Sequence, residues 1–150
     1  MKLIRLSILL GFFVLSSCDF SLPMQGVKID QIKKQDYVIV VMTYGKLGED
    51  KDKNRNFWIH TNKIRDDLKK IKGVLGYKFK RNVFNGETYS YIIFKDKESV
   101  AKFGSMPSHK LAVTKDSKAL VSSNIEIMKI PAKDYNVSWP DIEKILHGRK

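Results

Sequence analysis

Cysteine is almost absent from this chain: Cys18 is the single one in 150 residues. No intrachain disulfide can form, so a disulfide-stapled secreted domain is excluded, and so is a Cys-based zinc module. Proline is scarce at four and glycine modest at nine, too few for a collagenous or low-complexity chain. The three histidines form neither a cluster nor an H-E-x-x-H pattern, which argues against a zinc site. Gly-x-Gly-x-x-Gly, P-loop and Gly-x-Ser-x-Gly patterns are missing, so nothing points to a dinucleotide, a nucleoside triphosphate or a nucleophile elbow. Acidic residues are the minority, 16 against 28 Lys and Arg, for a formal charge of +12. The longest apolar run, Leu6 to Leu15 (LSILLGFFVL), is well short of the ~20 residues that a helix needs to cross a bilayer. What remains suits one domain, with 43% hydrophobic residues for a modest core.

The N-terminus reads as an address. Lys2 and Arg5 precede the apolar run, the order of a secretory signal. Leu15-Ser16-Ser17-Cys18 then resembles the bacterial lipobox. That resemblance implies cleavage before Cys18, lipidation of its thiol, and Cys18 as the mature N-terminus. A plain secretory signal would leave a lone unpaired thiol without a use. We expect residues 1–17 to be a lipoprotein signal peptide, 18–35 a lipid anchor and tether, and 36–150 the folded domain. The protein is then expected in the bacterial cell envelope, attached to membrane lipid through Cys18 and facing the periplasm or exterior. Acyl chains anchor through about 0.8 kcal/mol per buried CH₂. Cleavage removes Lys2 and Arg5 and leaves a charge of +10. Anionic headgroups are the better match for that charge in an exported protein, and no nucleic-acid partner is expected.

Periodicity sets out the domain. Tyr37–Tyr44 (YVIVVMTY) places Ile39 and Val41 on one face and Val38, Val40 and Met42 on the other. A strand buried on both faces is predicted. A polar loop spans 45–54. Phe57, Thr61, Ile64, Leu68 and Ile71 recur every three or four residues and predict a helix over 55–72, ended by Gly73. Residues 76–84 alternate, with Tyr77, Phe79, Arg81 and Val83 on one face and Lys78, Lys80 and Asn82 on the other, as in a half-buried strand. Asn85-Gly86 is a hairpin signal, and 87–94 return as a strand. A second helix is predicted from Lys97 to about Met106, a last strand over 124–130, and a short helix opened by Ser138-Trp139-Pro140-Asp141. His147 complements the C-terminal end of that helix.

The order β-α-β-β-α-β is that of an α+β, ferredoxin-like antiparallel sheet. Two helices cover one face, yet the strands are apolar on both. The sheet of a second subunit is the simplest cover, so a homodimer, a dimeric α/β barrel, is expected.

Residues of about 37–130 resemble the antibiotic-biosynthesis-monooxygenase-like group of dimeric α/β-barrel proteins. The resemblance lies in the apolar first strand, the helix end Ile71-Lys72-Gly73-Val74-Leu75-Gly76-Tyr77, the aromatic hairpin, the Phe94-Lys95-Asp96-Lys97-Glu98-Ser99-Val100 turn, Ser108-His109 and Trp139-Pro140. It implies cofactor-independent or haem-linked oxygenation in some members and no known activity in others. Fold alone does not choose between them.

Trp58, His60 and His109 are the candidate catalytic residues. Either histidine could serve as acid, base or haem ligand at an apolar cavity. The plainer reading makes each a locally hydrogen-bonded histidine. Trp58 stands one position off the helix stripe, which favours a special role over that of Phe57. Tyr44, Tyr89 and Tyr91 are candidates to line a pocket, or else ordinary aromatic core. No cofactor and no metal is assigned. Two functions follow: a lipid-anchored monooxygenase-like domain that binds or oxidises a small hydrophobic ligand, or a non-enzymatic envelope lipoprotein for binding or assembly.

Overall fold

The computed structural model describes residues 19–148, so the signal-like run and Cys18 lie outside the described residues. The order is β1 (Asp19–Ser21), α1 (Ile29–Lys33), β2 (Tyr37–Leu47), α2 (Lys51–Leu68), β3 (Val74–Asn82), β4 (Glu87–Phe94), α3 (Lys97–Ser105), α4 (Pro107–Thr114), β5 (Leu120–Pro131) and α5 (Trp139–His147). Short 3-10 turns at Asp116–Ala119 and Ala132–Asp134 flank β5. One antiparallel sheet holds all five strands in the order β1-β3-β4-β2-β5. This is the expected α+β, ferredoxin-like arrangement, with one extra edge strand.

Local chemistry explains the boundaries. Asp50 caps α2, its carboxylate accepting from the amides of Asp52 and Lys53, so the helix starts four residues before Arg55. Those bonds hold the Asp50 carboxyl below the usual carboxylate range. Asp96 caps α3 in the same way, accepting from the Ser99 amide at 2.8 Å. The Asn85-Gly86 hairpin forms as predicted, with Gly86 at φ 72°, a left-handed conformation that glycine adopts without strain. Asn82 steadies the turn by accepting from the amides of Phe84 and Asn85. β5 begins at Leu120, earlier than its apolar alternation suggests, because pairing with β2 continues through Ser122 and Ser123.

The sheet separates two cores. On one face, Val41, Tyr77, Ile92 and Phe94 pack with Leu68 and Phe103 under α2 and α3. On the other, Val38, Val40, Met42, Leu75, Tyr91 and Ile93 pack with Ile32 of α1 and with Ile142 and Leu146 of α5. Both faces of β2 are therefore covered by this chain itself. The second subunit was expected as the cover of a bare face, and α1 and α5 occupy that face instead.

Two further expectations are corrected. Residues 19–35 do not act as a free tether: β1 pairs with β3, the Leu22 amide donates to the Phe79 carbonyl at 2.9 Å, and Ile32 enters the core. The segment is held because it completes the sheet edge and seals the second core. The Lys78 face of β3 is not wet either. Lys78 is only 6% exposed. Its amine donates to the Val137 carbonyl and lies 4.7 Å from the Trp139 ring centroid and 5.3 Å from that of Tyr91. Burial pushes its pKa down.

Because α5 seals the second core, Ile142→Ala should lower stability by about 2–5 kcal/mol. In urea unfolding the midpoint should fall with the slope unchanged. A midpoint equal to that of the parent would mean that α5 is not part of the cooperative core.

Candidate functional site

Trp58 leaves the apolar stripe of α2 and turns toward the β1 and β3 edge. There the Arg81 guanidinium stacks on it, 3.8 Å from the ring centroid. Strand alternation explains Arg81: it follows Tyr77 and Phe79 on the face that α2 covers, so it meets the helix rather than water. Phe57 abuts Trp58 edge-on, with centroids 5.1 Å apart. Next to this pair is a cleft of about 160 Å³. Its apolar walls come from Phe20, Leu22, Phe79 and Trp58, and Arg65 and Arg81 supply its cations. Thr61, Asn62 and Thr88 add neutral polar groups. An aromatic wall, two guanidinium groups and a few donors can bind a small planar molecule bearing a negative charge.

The candidate histidines do not line this cleft. His60, two residues on, projects elsewhere and places Nδ1 2.7 Å from Oδ2 of Asp116. Asp116 is buried in the turn that leads into β5, so the pair ties that turn to α2. His109 lies in α4 with its ring 4.4 Å from that of Phe103. Burial there pushes the imidazole below its ordinary value, against a smaller opposing effect from a hydrogen bond to the Gly104 backbone. A haem group does not fit these residues: neither histidine faces the cleft, and its volume is well below the ~300–1,000 Å³ of sites for drug-sized ligands.

The tyrosine candidates occupy the opposite face of the sheet, beneath α5. Tyr44 and Tyr89 lie 5.3 Å apart by ring centroid. The Tyr91 hydroxyl donates to the Tyr135 carbonyl at 2.6 Å. Sequence reasoning missed the partner that joins Tyr44 and Tyr89, His147, which looked like a helix-end charge. Its Nε2 is 3.0 Å from the Tyr89 hydroxyl, and its ring is 4.5 Å from that of Tyr44. Both phenols reach toward Glu87, with the Tyr89 hydroxyl donating at 3.2 Å. Burial, and then the Glu87 charge, pushes the Tyr89 phenol up. These rings are packed core with a polar rim, and they do not join Trp58 in one site. Arg65 and Arg81 were missed as well. Arg81 had a usable signal, a charge on the aromatic face of an alternating strand. Arg65 had none.

Among the described residues, no group of three or more His, Cys, Asp or Glu could hold a metal ion, and no helix is long and apolar enough to cross a membrane.

No family model matches this sequence, and no curated protein matches it. Solved structures do resemble it. A conserved protein of Methanosarcina mazei superposes with a TM-score of 0.55 at 16% identity, over 66% of this chain and 95% of that one. A "putative antibiotic biosynthesis monooxygenase" of Nitrosomonas europaea gives 0.53 at 11% identity, over 65% and 91%. A "putative monooxygenase" of Lactobacillus acidophilus gives 0.54 at 12% identity, over 65% of this chain. This chain spans only about half (49%) of the Lactobacillus protein. The likeness is one of fold: these proteins share the α+β antiparallel sheet of this chain.

The setting of His109 has a pH signature. A depressed imidazole pKa favours the neutral form in the folded state, so the contribution to stability is present above the unfolded value of 6.5. It is lost as pH falls from there through the lower folded value. Urea titrations should show stability declining below pH 6.5, with that part of the decline missing in His109→Gln. The imidazole resonance of His109 should titrate with a midpoint below 6.5, and a midpoint at or above it would refute the half-buried setting.

Proposed function

We propose that this chain is a bacterial envelope lipoprotein, anchored through Cys18, whose monooxygenase-like domain binds a small hydrophobic ligand with an acidic group. The stacked Trp58–Arg81 pair on the wall of the α2 cleft carries this reading. Apolar walls favour a hydrophobic body, and Arg65 and Arg81 favour an anionic end. The signal-like order of Lys2, Arg5, Leu6–Leu15 and Cys18 supports the anchor. Some structural neighbours carry monooxygenase names, so oxidation of the bound ligand is the activity to assay beside binding.

A panel of aromatic carboxylates, titrated while tryptophan fluorescence is followed, tests the cleft. At least one should quench saturably. Arg81→Gln should weaken that binding about tenfold, roughly the loss of 1.4 kcal/mol. Trp58→Leu should abolish the quenching, while Trp139→Phe should retain it. Equal binding by Arg81→Gln and the parent would remove the cleft from consideration. Oxygen uptake with a bound ligand would make the domain an oxygenase rather than a binding module.

The homodimer forms through a different surface from the one that a bare sheet face would supply. β5 is an edge strand, and its Ile125 and Ile127 are exposed. Light scattering should report twice the chain mass for the parent and the monomer mass for an Ile125→Lys, Ile127→Lys double variant. A monomeric parent would exclude the dimer.

A further inference from the structure

We infer that the hairpin end of the sheet is the surface that lies on the lipid bilayer, seated there by Val83, Phe84 and Phe20. The inference rests on the reading of Cys18 as the acylated N-terminus. It adds what that reading leaves open, which is how the domain sits on the membrane.

Attachment without slack is the first ground. Asp19 is already in β1, paired with Asn82 at the end of β3. One residue spans about 3.3–3.6 Å. Acyl chains on Cys18 therefore begin one residue from the β3–β4 hairpin, with no free linker between. A bilayer that receives those chains is within reach of the hairpin as well.

The second ground is what this end presents. Phe84 is 74% exposed and Val83 55% at the turn, and Phe20 is 60% exposed in β1. Turn tips are usually polar, and these three side chains contribute little to either core. Behind them is a hollow lined by Lys46, Lys51, Arg55 and Arg81, with Glu49 as an opposing carboxylate. Apolar tips that can enter the headgroup boundary, backed by cations that can sit on anionic headgroups, match a membrane surface better than a polar partner. The Trp58 cleft shares Phe20 and Arg81 with this end, so its ligand would enter close to the bilayer.

Nitroxide accessibility on the full chain tests the orientation. The protein is purified from bacterial membranes and reconstituted into vesicles of phosphatidylethanolamine and phosphatidylglycerol. A label is placed at Phe84→Cys, at Val83→Cys or, at the far end of the sheet, at Lys133→Cys. Labels at 83 and 84 should collide several-fold more with oxygen than with an aqueous nickel chelate, and the label at 133 should show the reverse. Intact mass read on the same preparations reports acylation of Cys18. Aqueous behaviour at 83 and 84 with an acylated Cys18 overturns the orientation and leaves the anchor standing. An unmodified Cys18 overturns the anchor, and the orientation falls with it.

Discussion

β2 has no polar face. Val38, Val40 and Met42 point to one side and Ile39 and Val41 to the other, and β4 and β5 flank it in the sheet. Burying both rows takes two covering layers. One comes from α2 and α3, in the manner of the ferredoxin-like order. The other needs chain from beyond that order, and it comes from both ends: α1 precedes β2, and α5 follows β5. At about 25 cal/mol per Å² of apolar surface removed from water, leaving either face bare would forfeit several side chains' worth of stabilisation. The terminal segments are thus as much a part of the core as the central strands.

β3 joins these layers to the candidate site. Its run Tyr77-Lys78-Phe79-Lys80-Arg81 looks like a strand with one wet, basic face. In the fold each cation holds a helix. Lys78 lies against Trp139 at the start of α5, Lys80 pairs with Glu143 of α5 at 2.7 Å, and Arg81 stacks on Trp58 of α2. Long lysine and arginine stems bury their methylenes while the charged ends find aromatic faces, carbonyls or carboxylates. One strand therefore clasps both covering layers, and the Arg81 clasp also forms the wall of the cleft.

Strand alternation and helix spacing made most of the fold readable in the sequence. The double-faced β2, the Asn85-Gly86 hairpin, the Asp96 turn into α3 and the Ser138 start of α5 all depend on neighbours within a few residues. The cover of the second face did not announce itself, because α1 is five residues long and Ile32 is its one buried side chain, its i−3 companion Ile29 being exposed. The site was readable only in part. Trp58 stood out by leaving its stripe, and in the structure it meets Arg81 at the cleft rather than the core. The grouping of Trp58 with His60 and His109 ignored direction: residues two apart on a helix diverge, so Trp58 meets Arg81 while His60 meets Asp116. The tyrosines were assigned to a pocket by type, and their register puts Tyr44, Tyr89 and Tyr91 on the α5 face, across the sheet from Trp58.

The basic excess changes meaning once these contacts are known. Read from composition, it is a diffuse surface property. Three of its members on β3 are used within the fold, to hold α5 and α2. Lys46, Lys51 and Arg55 remain at the hairpin end, beside the most exposed apolar side chains of the turn. Charge and hydrophobicity thus coincide at the hairpin end of the sheet, where Asp19 of β1 pairs with Asn82 of β3. β1, three residues long, therefore has a larger consequence than its size suggests: it covers the open edge of β3 and brings Phe20 to the wall of the Trp58 cleft.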